Sequence, residues 1–407
     1  MGLRLLLRVE LLMQRLFVIL VLTCCSIALI SCGGDYKLKR DRLAEPSPWP
    51  YFRGDIAATG ATDGSWNGRL NVAWQHRTNS KPAGPLTLYH GLLFYPGTKN
   101  KVEIFELPTG KLTGKVKIKG HNQAGLIMHD SLAFYALGPK KNRVEAVNLV
   151  NQKDLWDRPV KDAAAGTIVV NNSLIVGSAT GRILALDLFD GSIRWQTDTE
   201  ARISTPASAG HGLIFQPVTG DQIVAVTDTS GEEQYRVDLT APVAKPVAVG
   251  DLVYAGAIDG SVTAFRPSDG TIAWSADVGA PIWTAPALDS RYLIIGHSGG
   301  EAVCFDAATG RERWRFATSK VLRASPLIIG PYVVVGSLAG ELFVLTTESG
   351  DLVDSTTLRG AVATAPVTDG RRVIVATDDG RITCFGESDE DYHATADQRI
   401  DPQDGSQ

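Results

Sequence analysis

Cysteine is the residue type in this 407-residue chain that most readily suggests redox chemistry, but the spacing of the five cysteines argues against it. Cys24 and Cys25 fall in an apolar leader. Cys304 and Cys384 are 80 residues apart, which is two periods of a repeat that runs through the chain, so one whole structural unit should separate them. Their Cα atoms are then expected to lie beyond the ~7 Å limit of a disulfide, and we interpret both as buried spacers.

Histidines and carboxylates could in principle support metal or hydrolytic chemistry. His121, His211 and His297 fall in three different repeat units and lack the spacing of a metal site. No run of carboxylates and amides suggests an oxygen cage for Ca²⁺. No serine lies in a sequence that resembles a nucleophile elbow. The sequence therefore predicts no catalytic residue, no metal site and no cofactor.

Cys32 is the one cysteine whose surroundings point to chemistry. An apolar run at 16–30 follows Arg15 and ends in the sequence Leu-Ile-Ser-Cys at 29–32. A charged start, an apolar core and small residues before the cut are typical of a secretory signal, and the last four residues match the bacterial lipobox. We predict a signal peptide at 1–31 and a lipidated N-terminus at Cys32.

A plain transmembrane anchor is the alternative for this leader, but its apolar run is shorter than the roughly 20 residues that a span needs. Met13 is a second possible start of the chain. Gly33 follows Cys32 at the position where an Asp would favour the inner membrane. We therefore expect a cell-envelope protein held in the outer membrane, facing the periplasm, if the cell has one.

A repeat of 40 residues organises the rest of the chain. One mark of it is a proline, at Pro206, Pro246, Pro286, Pro326 and Pro366. The other is a turn residue followed by Gly and then usually by an aromatic residue, as in DGSIRW at 190–195, SGEEQY at 230–235, DGTIAW at 269–274 and TGRERW at 309–314. A period near 40 with one Gly turn and one Trp per unit is typical of a β-propeller.

Each unit divides into four short apolar runs separated by turn residues, which predicts a four-stranded antiparallel sheet. Such a sheet cannot bury both faces alone, so the units must stack around an axis. We predict an all-β, eight-bladed β-propeller at 69–386, with blades that begin near residues 84, 124, 165, 205, 245, 285, 325 and 365. Unit eight lacks its outer strand, and an orphan Trp-bearing strand at 69–77 with Trp74 is expected to complete it. Seven blades is the alternative.

The remaining segments flank this body. Residues 32–48 read as a flexible tether, 49–68 as a segment of its own, and 387–407 as an acidic disordered tail. The net charge of −4 and the absence of a basic stripe give no reason to expect nucleic acid. We expect a monomeric body whose contact with the membrane is the lipid anchor.

The repeat resembles the pyrroloquinoline-quinone-like propeller family in its inner-strand Pro, in turns such as Thr180-Gly181 and Asp259-Gly260, and in its Gly-to-Trp step, over residues 70–385. Within that family, a lipobox before eight blades is most similar to the lipoproteins that assist outer-membrane β-barrel assembly. The resemblance implies a non-catalytic scaffold with protein partners in the barrel-assembly machinery. A sensor that binds a small molecule or glycan is the alternative, and a quinoprotein-type oxidoreductase is a third.

The quinone-dependent enzymes of this family use a disulfide between adjacent cysteines, a catalytic Asp and bound Ca²⁺. No adjacent cysteine pair remains once the leader is removed. The resemblance therefore favours binding over catalysis.

Partner contacts are expected in the loops that lead into each new blade. The position three before the repeated Pro is occupied by Trp283 and Arg323 in two successive units, and these residue types dominate interface hot spots. Arg202 and Lys245 lie close by in the same register. The alternative is that Trp283 fills the space between blades and that Arg323 is a solvated charge.

The sequence WPYFRGD at 49–55 is a separate candidate. Trp49 and Phe52 could plug an apolar groove and Arg53 could pair with a carboxylate, which would make the segment a clasp. The alternative is a segment packed along the rim of the disc.

Overall fold

The computed structural model describes residues 38–39, 42, 49–51, 53–98, 100–118, 126–137, 141–151, 153–163, 167–243 and 248–386. Of two compact units, Met1–Gly34 lies outside these residues and Asp35–Gln407 carries the fold. The described residues form eight β-sheets and no α-helix. The predicted eight-bladed propeller is confirmed, and the seven-bladed alternative is wrong. No helix in this part of the chain is long and apolar enough to cross a membrane.

Each blade has four strands, which run from the innermost at the axis to the outermost at the rim. Two strands precede the blades, β1 (Ala61–Thr62) and β2 (Val72–Arg77). Blade 1 contains β3 (Thr87–Tyr89), β4 (Leu92–Gly97), β5 (Lys101–Glu106) and β6 (Leu112–Lys117), and blade 2 contains β7 (Ile127–His129), β8 (Leu132–Leu137), β9 (Arg143–Asn148) and β10 (Lys153–Pro159). Blade 3 contains β11 (Ile168–Val170), β12 (Ser173–Gly177), β13 (Arg182–Asp187) and β14 (Ile193–Asp198), and blade 4 contains β15 (Ser208–Gly210), β16 (Leu213–Val218), β17 (Gln222–Thr227) and β18 (Glu233–Asp238).

Blades 5 to 8 continue the pattern with β19 (Ala248–Val249), β20 (Val253–Gly256), β21 (Ser261–Phe265), β22 (Ile272–Asp277); β23 (Ala287–Leu288), β24 (Tyr292–Gly296), β25 (Glu301–Asp306), β26 (Glu312–Ala317); β27 (Leu327–Ile329), β28 (Tyr332–Gly336), β29 (Glu341–Thr346), β30 (Leu352–Thr357); and β31 (Val367–Thr368), β32 (Val373–Ala376), β33 (Arg381–Phe385). Second strands such as β24 are buried along their whole length, because both faces of a blade are covered by its neighbours. Outermost strands such as β26 alternate between buried and exposed residues.

A Trp–Gly contact joins neighbouring blades and explains the sequence motif. Trp195 of blade 3 packs on Gly231 in the turn before the outermost strand of blade 4, and its indole Nε1 donates to the carbonyl of Asp228 over 3.2 Å. The glycine is needed twice, since its φ is positive and a Cβ would meet the ring at 2.3 Å. The same device recurs as Trp74–Gly110, Trp156–Gly191, Tyr235–Gly270, Trp274–Gly310 and Trp314–Gly350.

The two remaining cysteines make room for this aromatic residue. Cys304 and Cys384 lie directly opposite Trp314 and Trp74 in the third strands of blades 6 and 8, where Ala185 lies opposite its own Trp in blade 3. Both are fully buried, and neither forms a disulfide. Burial raises the pKa of the Cys304 thiol, so it is held protonated. These positions agree with the interpretation as spacers.

Blade 8 is closed by strands from opposite ends of the fold, as predicted. The N-terminal β2 pairs antiparallel with β33, and Trp74 Nε1 donates to the carbonyl of Leu107 in blade 1 over 2.7 Å. At the neighbouring junction Asp354 of blade 7 occupies the Trp position, and its carboxylate accepts the N–H of Leu70 over 2.9 Å. The N-terminal part that closes blade 8 is therefore bonded to both neighbouring blades, 1 and 7.

Candidate partner-binding face

Two faces of the propeller follow from the up-and-down order of the strands. The turn face carries the turns between first and second strands and between third and outermost strands. The connection face carries the turns between second and third strands and the connections that lead from one blade to the innermost strand of the next. Trp283, Arg323 and Arg202 all lie in such connections, so the connection face is the candidate site.

One backbone hydrogen bond fixes every described connection at the same point. For example, the N–H of Thr219, in the turn between the second and third strands of blade 4, donates to the carbonyl of Arg202 over 2.9 Å. Equivalent carbonyls are those of Lys81, Asp162, Pro242, Pro281, Val321 and Ala361. The residue after this carbonyl is a buried aliphatic one in five connections, namely Ile203, Val243, Ile282, Leu322 and Val362.

This register corrects the one inferred by counting back from the proline. Ile203 and Val243 occupy the buried position, whereas Trp283, Arg323 and Ala363 lie one residue further along. The later connections contain one more residue between the fixed carbonyl and the Pro, so a constant offset from the Pro mixes two positions. Arg202 corresponds to Pro281 and not to Trp283.

The structure brings Trp283 and Arg323 together across the gap between blades 6 and 7. The guanidinium carbon of Arg323 lies 5.1 Å from the centre of the Trp283 ring, which is a cation–π contact. Trp283 is half-buried and Arg323 is exposed, although each follows a fully buried aliphatic residue. The anchored backbone therefore presents an aromatic ring and a positive charge outward as one unit.

The other two predicted residues do not share this arrangement. Arg202 is exposed in the connection before blade 4, two connections away from Trp283, and its backbone N–H donates to the hydroxyl of Thr219 over 3.0 Å. Lys245 lies outside the described residues. The pair thus forms the centre of the candidate site, and Arg202 extends the positive charge along the same face.

A cavity of about 360 Å³ lies beside Arg323 on the connection face. Its wall includes Lys81 and Asp378, and it spans the connections into blades 7, 8 and 1. Several polar groups of the wall are already engaged, since the Asp378 carboxylate accepts the N–H of Ala361 over 2.8 Å. A second cavity, of about 570 Å³, lies on the turn face between blades 5 and 6.

The segment around residues 49–65 crosses the opposite, turn face close to the axis. The N–H groups of innermost strands donate to it at Leu88 in blade 1, Ala209 in blade 4, Val249 in blade 5, Leu288 in blade 6 and Ile328 in blade 7. Its strand β1 adds to β27 in parallel. The expected packing along the rim is therefore wrong. The axis-facing edges of the innermost strands have unpaired N–H groups, and this segment supplies their acceptors.

Two residues of that segment that the sequence singled out, Trp49 and Arg53, are buried. Trp49 is 2% exposed and its carbonyl accepts the N–H of Leu88 over 3.1 Å. Arg53 is 1% exposed and donates from Nη2 to the carbonyl of Pro286 over 2.9 Å, so its direct partner is a carbonyl. Burial lowers the pKa of Arg53 to about 9, against the opposing effect of Asp55, so the side chain is charged at neutral pH. Phe52 lies outside the described residues.

His297, a histidine considered from the sequence, makes its contacts within its own blade. His297 is 2% exposed; its Nδ1 accepts the N–H of Gly299 over 3.0 Å and its Nε2 lies 3.2 Å from Glu301. Burial lowers the pKa of His297, which favours the neutral ring. No group of three or more His, Cys, Asp or Glu side chains within the described residues could hold a metal ion.

Comparison with curated proteins places the chain among proteins of one description. The outer membrane protein assembly factor BamB of Burkholderia pseudomallei is 26% identical over 312 residues, which cover 72% of this chain and 81% of the relative. The protein with the same description from Yersinia pestis is 23% identical over 403 residues, covering 88% of this chain and 96% of the relative.

Solved structures share the fold at lower identity. BamB from Moraxella catarrhalis has a TM-score of 0.65 at 16% identity and covers 78% of this chain and 100% of its own. The quinohemoprotein alcohol dehydrogenase of Comamonas testosteroni has a TM-score of 0.72 at 12% identity, with 86% and 82% covered. At such identities the likeness concerns the fold alone, and propellers host unrelated functions.

A family model distinguishes between the protein families that share this fold. The model described as outer membrane protein assembly factor BamB matches residues 57–197, 140–281, 198–321 and 298–391, which together include every blade and part of the segment before them. On this evidence the chain belongs to the family of the outer membrane protein assembly factor BamB.

Proposed function

We propose that this protein is a non-catalytic, membrane-anchored scaffold that binds protein partners during the assembly of outer-membrane β-barrels. Its relatives carry the description of outer membrane protein assembly factors, which supports the process. The observation that carries the binding site is the Trp283–Arg323 pair, presented outward from an otherwise buried connection.

The pair suits a protein partner for physical reasons. A half-buried Trp offers a large apolar surface whose conformation is already restricted, so little side-chain entropy is lost on binding. Arg323 keeps its donors toward solvent and can pair with a carboxylate of the partner, as hot-spot arginines do. Arg202 adds a further charge on the same face, which favours an acidic partner surface.

Anchoring is proposed to occur at Cys32, after removal of a signal peptide at 1–31, in the outer membrane and facing the periplasm. Support comes from the lipobox sequence at 29–32 and from the family, since the leader lies outside the described residues. The mass of the N-terminal peptide of the native protein tests it. A diacylglyceryl modification of Cys32 is expected, and an unmodified or uncleaved N-terminus would contradict it.

Affinity purification from native membranes in mild detergent tests the scaffold. We expect a large barrel protein of the assembly machinery to be recovered with the wild-type chain, and to be lost when Trp283 and Arg323 are both changed to Ala. The matched control is Arg291→Ala, because Arg291 makes a cation–π contact of 5.2 Å with Tyr292 on the turn face. Recovery of the protein alone at good yield would reject the scaffold, and equal loss with Arg291→Ala would reject the face.

A ligand-binding propeller is the second candidate, and the 360 Å³ cavity beside Arg323 favours it. Lys81 and Arg323 would select an anionic or polar molecule there. Titration of the purified body with anionic sugars and carboxylates, followed by thermal shift, separates the two: a shift that Lys81→Ala abolishes supports a ligand. An oxidoreductase is disfavoured by the missing adjacent cysteine pair and by the chemistry of the described side chains.

A further inference from the structure

The junction between blades 1 and 2 lacks the aromatic residue that joins neighbouring blades at six of the eight junctions. Gly114 occupies the Trp position of β6, opposite Ile104 in the third strand. In six other junctions an indole or phenol donates to a carbonyl of the next blade, at Leu107, Leu188, Asp228, Pro267, Ala307 and Thr347. By the same register the acceptor in blade 2 is the carbonyl of Leu149.

Leu38 fills this vacancy from outside the blades. Its backbone N–H donates to the carbonyl of Leu149 over 2.8 Å, so it satisfies the acceptor that an indole satisfies elsewhere. Its side chain is 2% exposed and packs in the cluster formed by blades 1 and 2, which includes Leu92 and Val116. Leu38 therefore acts as a substitute for the missing aromatic residue, and the missing residue gives it a specific seat.

Two more described residues near this seat contact blade 1. Arg42 pairs over 3.3 Å with Glu106, the last residue of β5 in blade 1, and Trp49 pairs with Leu88 in the innermost strand of the same blade. Leu38 and Arg42, which belong to the segment 32–48 predicted as a tether, are thus held against the blades. Five residues lie between Cys32 and Leu38, and the six residue steps of an extended chain span at most about 20 Å.

Exposed apolar side chains lie on the turn edge of the neighbouring blades. Phe189 is 62% exposed in the turn before the outermost strand of blade 3, with Ile193 at 40% in that strand and Leu155 at 42% in the outermost strand of blade 2. Trp156, next to Leu155, donates to the carbonyl of Leu188, next to Phe189, over 2.8 Å. The two edges are thus side by side.

We propose that Leu155, Phe189 and Ile193 contact the lipid surface. The short segment between Cys32 and Leu38, called the leash, keeps these side chains close to the membrane. This inference rests on the proposed lipid anchor at Cys32. An aromatic and two aliphatic side chains suit the boundary between headgroups and acyl chains. The turn face of blades 1 to 3 would then point to the membrane, and the connection face with Trp283 would stay free for a partner.

Charged side chains near the three apolar residues neither favour nor oppose their contact with the lipid surface, because both signs are present. Lys39 and Lys153 are exposed near it, and so are Asp154 and Asp190. The length of chain between the anchor and its seat is what selects a lipid surface as the occupant. Apolar residues on distant blades provide a matched control, since Ile272 in blade 5 is 50% exposed at the position that Ile193 holds in blade 3.

Fluorescence quenching in vesicles tests the orientation. The lipidated chain, with an azide-bearing side chain at position 189 or at position 272, is labelled with an environment-sensitive dye. It is then reconstituted into vesicles of phosphatidylethanolamine and phosphatidylglycerol with spin-labelled lipid. We expect position 189 to lose most of its fluorescence and position 272 to lose little. Equal quenching at both positions would overturn the proposal, and protection of position 189 only in native membranes would assign the surface to a protein instead.

Two further variants separate the leash from the anchor. Inserting a flexible Gly-Ser linker between Gly34 and Asp35 leaves the fold untouched and should reduce quenching at position 189. Leu38→Asp should do the same, whereas Leu338→Asp on the connection face should not; unchanged quenching with the linker would overturn the leash. If the native protein proves not to be lipidated, the proposed anchor fails alone. Coupling Cys32 to a maleimide lipid then still tests the surface.

Discussion

At the scale of the residue, this protein is governed by a contact between one aromatic ring and one glycine. The ring closes the gap between two blades, and the glycine supplies both a positive φ and the space for the ring. The small residue opposite the ring, whether Ala185 or Cys304, belongs to the same arrangement. Ala and Cys differ in chemistry, but at this position both are explained by their small volume.

Glycines with the same φ allow this contact to be measured. Gly231 and Gly212 have φ of +72° and +75°, but a Cβ at Gly231 would meet Trp195 at 2.3 Å, whereas at Gly212 nothing lies within 4 Å. We expect Gly212→Ala to cost about 1–2 kcal/mol of unfolding free energy from backbone strain alone. Gly231→Ala should cost roughly 1–3 kcal/mol more from overpacking. Urea unfolding of both variants measures the difference, and equal losses would show that the ring yields without cost.

At the scale of the element, the sequence predicts strands well where a repeat enforces them. The four runs of each unit, the eight blades and the closing strand with Trp74 follow from periodicity and from the missing outer strand of unit eight. Counting back from the proline misaligned two connections by one residue, those of Ile203 and Val243. The alignment is set by the hydrogen-bonded backbone carbonyl, whose distance from the proline varies. The position of the 49–65 segment depends on the free edges of the innermost strands, which no local pattern reveals.

The seat of Leu38 shows what signal could have been used. Unit one visibly lacks its Trp, and a missing part of a repeated contact predicts that something else fills the space. The leucines among the charged residues of that segment, Leu38 and Leu43, were the available candidates. The sequence indicated the residue types of the Trp283–Arg323 pair and their places on neighbouring blades. The 5.1 Å distance between the guanidinium and the ring depends on the alignment of both connections, which the sequence did not reveal.

Trp74 tests the closing strand as an element. Its ring is 9% exposed and its indole N–H bonds the carbonyl of Leu107. Trp74→Phe should cost about 1 kcal/mol, because one buried hydrogen bond is lost while the ring remains. Trp74→Ala should cost about 3–5 kcal/mol. Thermal or urea unfolding gives both values, with Trp195→Phe and Trp195→Ala as controls at an internal junction; a Phe variant as damaged as the Ala variant would contradict the packing explanation.

At the scale of the whole molecule, the two faces divide the work. The turn face is occupied by the chain's own N-terminal part, which crosses the innermost strands of five blades and seats Leu38 between blades 1 and 2. The connection face keeps its exposed pair and its cavity for other molecules. A propeller of eight similar blades thereby acquires a direction, with the anchor proposed on one side and the partner on the other.

Blade 8 can form only after strands from both ends of the propeller sequence have been brought together. Its outermost strand is complete within the first 77 residues, yet its partner ends at residue 385, so the strand must wait for almost the whole chain. Pairing across such a separation is slow. A circular permutant in which residues 69–77 directly follow residue 386 should refold faster in stopped-flow experiments, and an unchanged rate would place the slow step elsewhere. Until the last strand arrives the molecule is an open row of blades with two unpaired ends, and a chaperone or a protease that recognises it would have to act in that interval.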